Sequence, residues 1–113
     1  MGRRTDTPVD LLGSFEEQVM LAVIRTADAA YGMNVRRELE AVTGRDITIG
    51  SVYATLDRLE AKGLVASTRA LGADGTSRRI FEVTSAGAHA LAETRLVRDR
   101  LWAHVRLRAL RNA

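Results

Sequence analysis

A chain of 113 residues has room for one modest domain, burying roughly two thirds of the surface its unfolded form exposes, so a partner chain would help to stabilise it. A hydrophobic fraction of 46% and a charged fraction of 27% exclude wholesale disorder, and the absence of cysteine excludes disulfides, thiolate metal sites and thiol redox sensing. The net charge of +3 is C-terminal: residues 51–63 balance to zero, with Arg58 and Lys62 against Asp57 and Glu60, whereas residues 85–113 carry six arginines against Glu93 and Asp99.

No uncharged apolar run reaches the roughly 18 residues that would span a bilayer, and Met1-Gly2-Arg3-Arg4 leads into no signal-like core. The expected location is therefore the cytoplasm, with no membrane partner. Residues 1–10, which hold the sole proline, Pro8, read as a loose arm.

Ser14 and Glu17 have the spacing of a capping box and predict a first helix from there, with Phe15, Val19, Ala22, Val23 and Thr26 on one face and Met20, Leu21 and Ile24 broadening it. A second helix is expected from about Tyr31 and Gly32 to Val42, with Val35, Leu39 and Val42 inward and Gly44 as its stop. Thr48 caps a third, which carries Val52, Leu56 and Leu59 inward and ends at Gly63.

The period then changes to that of a β-hairpin, residues 64–69 and 79–84 flanking a long, mobile tip with Gly72, Asp74 and Gly75. Thr84 or Ser85 caps a last helix, expected to run unbroken to about Leu110. The fold class is thus mainly α with a small β-hairpin: a winged helix-turn-helix over residues 11–84 plus a long C-terminal dimerisation helix over 85–113.

In a winged helix-turn-helix the third helix enters the major groove and the hairpin reaches the neighbouring backbone. Ser51, Thr55, Arg58 and Lys62 follow i, i+4, i+7, i+11 opposite the buried side chains and form the expected reading stripe, with Thr48 at the helix start. Gly50 either lets the backbone approach a phosphate or merely eases a tight turn. Tyr53 either offers its hydroxyl to DNA or is an ordinary core tyrosine. Thr76, Ser77, Arg78 and Arg79 place hydroxyls and guanidinium groups at the wing, suited to backbone contact.

Three segments carry a family resemblance: Tyr31-Gly32; Gly50 through Tyr53, Leu56, Arg58-Leu59-Glu60 and Gly63-Leu64-Val65; and Phe81 through Val83-Thr84 to Gly87. Over about residues 11–92 they resemble the PadR-like pattern Tyr-Gly, Gly-x-x-Tyr-x-x-Leu-x-Arg-Leu-Glu-x-x-Gly-Leu-Ile, aromatic-x-Leu-Thr-x-x-Gly. Ile49 stands where members often have proline, and Val83 where leucine is common. The resemblance implies a dimeric bacterial regulator, usually a repressor, of the compact branch with a single C-terminal helix.

Around the last helix, Leu91, Val97, Leu101, Trp102 and Val105 form one apolar cluster and Ala92, Leu96, Ala103, Leu107 and Leu110 another. Two stripes need two covers, the chain's own domain and a twofold mate, so Leu96, Val97, Leu101, Trp102, Val105, Leu107 and Leu110 are the expected homodimer contacts. In the resembling branch the centre of such a dimer can form a pore for flat, apolar molecules, which makes Trp102 a candidate effector contact beside its role in packing.

His89 and His104, roughly 22 Å apart along a helix, cannot share a metal within one chain. No metal or other cofactor is expected, and no nucleophile-base pair or phosphate loop suggests an enzyme. The expected function is sequence-specific binding of double-stranded DNA at a palindromic operator by a ligand-responsive repressor. The alternative is a winged-helix protein-interaction module that binds no DNA.

Overall fold

A computed structural model describes residues 11–72 and 74–111; the expected N-terminal arm, residues 1–10, lies outside them. The elements follow in the order α1 (Ser14–Thr26), a single 3₁₀ turn at Ala27–Ala29, α2 (Gly32–Thr43), α3 (Ile49–Ala61), β1 (Val65–Leu71), β2 (Ser77–Val83), α4 (Ser85–Trp102) and α5 (Leu107–Arg111). Among the described residues no helix is long and apolar enough to cross a membrane.

The core lies where α1, α2 and α3 meet the hairpin. Val19, Met20 and Val23 from α1, Val35 from α2, and Val52, Leu56 and Leu59 from α3 enclose it, with Val65 and Phe81 closing it from the sheet side. Fully burying each such side chain stabilises the fold by roughly 1.5–3 kcal/mol. The strands pair antiparallel from Val65↔Val83 to Leu71↔Ser77, and the Phe81 N–H donates to the Ala30 carbonyl at 2.8 Å, tying the wing to the α1–α2 turn.

Two glycines of the recurring motifs are there for close approach. A Cβ on Gly32 would stand 2.3 Å from Cζ of Tyr53, whose ring crosses the start of α2, and one on Gly87 would stand 2.1 Å from the Leu64 carbonyl oxygen. Gly87 thus lets the first turn of α4 sit directly on the root of the hairpin. Thr84 fixes the same junction: its hydroxyl donates to the Gly63 carbonyl at 2.7 Å and accepts from the Gly87 N–H at 3.0 Å.

Several expectations change. Helix α1 is capped at Gly13, so Glu16 rather than Glu17 occupies the third helical position, and its carboxylate accepts from the Gly13 N–H at 2.9 Å. Ser14 is the first helical residue rather than the cap. Val42, expected inward, is 62% exposed at the end of α2. The strands run beyond the expected limits to Leu71 and from Ser77, which shortens the tip and closes it with hydrogen bonds from Gly72 N–H to Thr76 O (2.8 Å) and Gly75 N–H to Gly72 O (2.9 Å).

The largest correction concerns the last helix. It does not continue to Leu110: α4 ends at Trp102, His104 takes φ 64°, and α5 resumes at Leu107. Every residue from Arg98 to Arg111 is exposed, so the final turns have no packed face and rest on intrinsic propensity, which is weak at His104 and Val105. The two angular clusters therefore hold only as far as Trp102. Within that span Leu91 packs on the core and Val97 is half-buried, while Leu96, Leu101 and Trp102 stay open.

Candidate nucleic-acid interface

Helix α3 presents Gly50, Ser51, Ala54, Asp57, Arg58 and Ala61 to solvent. Thr48 caps it as expected, its Oγ1 accepting from the Ser51 N–H at 3.2 Å while the Ser51 hydroxyl donates back to the Thr48 carbonyl at 2.8 Å. Gly50 has an ordinary helical conformation, and a Cβ there would meet nothing within 4 Å, so nothing inside the chain demands glycine. The absence of a side chain leaves the N-terminal turn of α3 bare.

The expected stripe is not one surface. Thr55 is only 3% exposed, because the arc of α3 that packs against the body is wider than Val52, Leu56 and Leu59 alone. Arg58 and Lys62 are drawn to one side by Glu16: Arg58 Nε lies 3.3 Å and Lys62 Nζ 3.0 Å from Glu16 Oε2. The Gly13 N–H first, and then Lys62 and Arg58, hold the Glu16 carboxyl below its usual range against the opposing effect of burial.

Across the face, Arg79 is similarly occupied. Its NH1 lies 3.1 Å from Asp57 Oδ1 and its NH2 2.7 Å from Glu60 Oε1, while its guanidinium carbon sits 4.8 Å from the centre of the Phe81 ring. Burial opposes its charge, yet these two carboxylates raise its pKa further. Arg79 therefore braces the wing against α3. The pairing also answers a local conflict, since Arg69 and Arg79 stand directly opposite in the strand register and two like charges there repel.

Sequence reasoning missed the feature that adjoins this face. An open cleft of about 470 Å³ lies between the start of α2, Tyr53 and the wing, lined by Tyr31, Met33, Arg37, Tyr53, Arg69, Ser77, Arg78 and Arg79. The guanidinium of Arg78 lies 4.5 Å from the centre of the Tyr31 ring and its NH2 3.7 Å from Asp74. Among the described residues Arg37 and Arg69 form no ion pair; they bond only to Asn34 (3.3 Å) and Ser77 (3.5 Å). Thr76 instead holds the tip, its hydroxyl and N–H both donating to Asp74 Oδ1 and keeping that carboxyl below its usual range.

The start of α2 opens on the same cleft without a side-chain cap, which leaves backbone N–H groups and the positive end of a helix dipole there. Three guanidinium groups with few internal partners, beside a bare turn of α3, make a concave surface suited to an anion. Tyr53, Ser77, Arg78 and Arg79 are among the expected contacts, whereas Met33, Arg37 and Arg69 carry no sequence signal and Tyr31 only that of the Tyr31-Gly32 motif.

Over residues 20–93 the chain matches the model of the transcriptional regulator PadR-like family. The chain belongs to that family. Its members are regulators of transcription that bind DNA, not enzymes.

The chain is similar to transcriptional regulator Rv3488 of Mycobacterium tuberculosis, 41% identical over 58 residues that make up 51% of this chain and 53% of that one. The match thus spans about half the length of that relative. Among solved structures, a PadR-family regulator of Eggerthella lenta is 29% identical, with 74% of this chain and 72% of that one covered and a TM-score of 0.62. A PadR-like regulator of Bacillus cereus shares the fold at 20% identity, covering 77% and 82%, with a TM-score of 0.66.

The resemblance read from the motifs is therefore correct, and so is the winged helix with a C-terminal helix. Gly32 and Gly87, both in the PadR-like pattern, are the described glycines at which a Cβ would collide most closely, so the pattern records packing.

Proposed function

We propose that this PadR-like protein binds a palindromic duplex as a homodimer, with one α3 in each of two major grooves about 34 Å apart. The supporting observation is the join between the bare N-terminal turn of α3 and the arginine cleft. With Gly50, Ser51 and Ala54 at the base edges, Arg37, Arg69 and Arg78 would lie against a backbone phosphate of the same groove. Arg58, Lys62 and Arg79, already matched to carboxylates, would add little net charge to that contact.

The second copy is supported by the C-terminal end. Leu96, Leu101, Trp102, Val105, Leu107 and Leu110 are all large, apolar and exposed. The radius of gyration is 17.1 Å, against about 13 Å for a compact domain of this length. Apolar side chains clustered on a projecting element fit an isologous contact between two copies. Bound across the promoter of a nearby gene, such a dimer would repress by exclusion.

A planar aromatic effector stacked on Trp102 at the twofold axis would release DNA if it bound the DNA-free spacing of the two α3 helices more tightly than the DNA-bound one.

Selection from random duplexes, followed by sedimentation of the complex, tests the reading. The expected result is a palindrome carrying two protomers, with affinity falling steeply as salt rises. Selection of no duplex, or of one that binds a single protomer, would overturn it.

A further inference from the structure

Glu16 lies outside every residue set so far linked to binding, yet it occupies a junction. Its side chain is 11% exposed and uses both oxygens: Oε1 accepts from the Gly13 N–H at 2.9 Å, and Oε2 faces Lys62 Nζ at 3.0 Å and Arg58 Nε at 3.3 Å. The residues beside it are held by α4. The Leu12 N–H donates to Oγ1 of the buried Thr94 at 3.1 Å, and Glu17 pairs with Arg98.

Arg58 lies four residues after Ala54 and seven after Ser51, on the edge of the bare face of α3. Its Nε is taken by Glu16 and its NH2 lies 3.4 Å from the Thr55 hydroxyl, which leaves NH1 with no partner among the described residues.

We propose that Glu16 is a positioning residue for sequence reading: it holds the Arg58 guanidinium and the end of α3 in one orientation and keeps Arg58 and Lys62 from indiscriminate contact with phosphates. The inference rests on the DNA-binding reading above. A carboxylate withdrawn from water to hold two half-exposed cations is poor evidence of stabilisation for its own sake, because desolvation offsets much of the attraction. Its directional effect is larger. It fixes which nitrogen of Arg58 faces outward and neutralises two cations that would otherwise raise affinity for every duplex alike.

Glu16→Gln preserves shape and can still accept from the Gly13 N–H, but it takes the anion away from Arg58 and Lys62. The variant is measured on the selected operator and on a scrambled duplex of equal length, across a salt series. The expected result is tighter binding to the scrambled duplex, an operator-to-scrambled ratio lowered about tenfold, and a salt slope steeper by about 0.9 for each cation released. In an Arg58→Met background, Glu16→Gln should change the ratio no further.

A melting temperature lowered with ratio and slope both unchanged would make Glu16 a structural ion pair and overturn the proposal. Should Glu16→Gln not fold, Arg58→Lys decides: its charge is kept but the guanidinium is lost, so the ratio must fall, and an unchanged ratio overturns the proposal. Failure of the parent protein to select any duplex would instead reject the DNA-binding reading itself.

Discussion

The winged body and the C-terminal helices treat their apolar side chains in opposite ways. In the body, residues from α1, α2, α3 and the hairpin converge until Val19, Met20, Val35, Val52, Leu56 and Leu59 are wholly buried. Beyond Val97, by contrast, Leu101, Trp102, Val105 and Leu110 stand open and the helix breaks. One chain supplies its own cover for the first region, and leaves the apolar side chains of the second uncovered. On the proposed function, the body would be the reading head and the tail half of an interface.

The sharpest way to test that contrast is to open the body. Phe81 fills the space between the wing and α1, and its backbone N–H anchors β2 to Ala30. Phe81→Ala should cost about 3–5 kcal/mol, through lost burial and the cavity left behind. Denaturant titration should show a fall of that size in a single cooperative transition. A loss below about 1 kcal/mol would mean that the body does not depend on this core.

The same truncation in the tail should leave folding nearly untouched and affect association instead. Trp102 is 54% exposed in the single chain and is the sole tryptophan, so its emission reports directly on cover from a second copy. Trp102→Ala should weaken dimerisation by about 2 kcal/mol or more, the range of a central interface aromatic, and sedimentation should show the monomer at micromolar concentration. In the parent, emission should shift to the blue as concentration rises through the dissociation range. A dimer mass and affinity left intact in Trp102→Ala would place the interface elsewhere.

Much of the body was legible because its signals are local. Thr48, Gly44 and Gly63 mark helix ends in a few residues each, and the period of Val52, Leu56 and Leu59 gives a buried face directly. The change to strand period after Leu64 likewise places the wing. What escaped notice depends on partners far along the chain. Glu16 lies 42 residues from Arg58, and Arg79 lies 22 from Asp57, so no spacing rule joins them.

Thr55 was misread for a related reason. An angle around the helix axis says which residues are neighbours, but how wide the buried arc is depends on where α1 crosses α3. The break after Trp102 shows the same limit from the other side. Periodicity extends a helix for as long as the pattern lasts, whereas beyond Val97 no packed face holds the helix together and it breaks between Trp102 and Leu107.

Within the body, the charged surface divides again between cations already matched and cations still available, and DNA titrations can tell them apart. Arg69→Ala and Arg78→Ala should each weaken binding to all duplexes alike and lower the salt slope by about 0.9, the value of one phosphate contact. Arg79→Ala should leave the slope nearly unchanged, since Asp57 and Glu60 already neutralise that charge, while loosening the wing and thereby weakening binding at every salt concentration. If Arg79→Ala lowers the slope as much as Arg78→Ala does, the division is wrong.

The smallest effect expected is on acid stability, where charge pairing in the body separates from its apolar packing. The Glu16 carboxyl is held below its ordinary value of 4.5, foremost by the Gly13 N–H and then by Lys62 and Arg58, with burial working the other way. A carboxyl whose folded pKa is depressed adds stability that is fully present above its unfolded pKa and is lost as pH falls through its folded one. The contribution of Glu16 should therefore be intact at neutral pH, begin to fall near pH 4.5 and be gone once the pH has passed below the lowered folded value. Glu16→Gln, having no proton to take up, should show a shallower loss of stability across that window than the parent. Asp74 provides the contrast: its carboxyl is also held low, by Thr76, but at a fully exposed tip, where solvent screens most of the benefit. Asp74→Asn should hardly alter the acid limb. Chemical denaturation repeated from pH 7 to pH 3 measures both, and equal slopes for Glu16→Gln and the parent would show that the junction between α1 and α3 is held by packing rather than by charge.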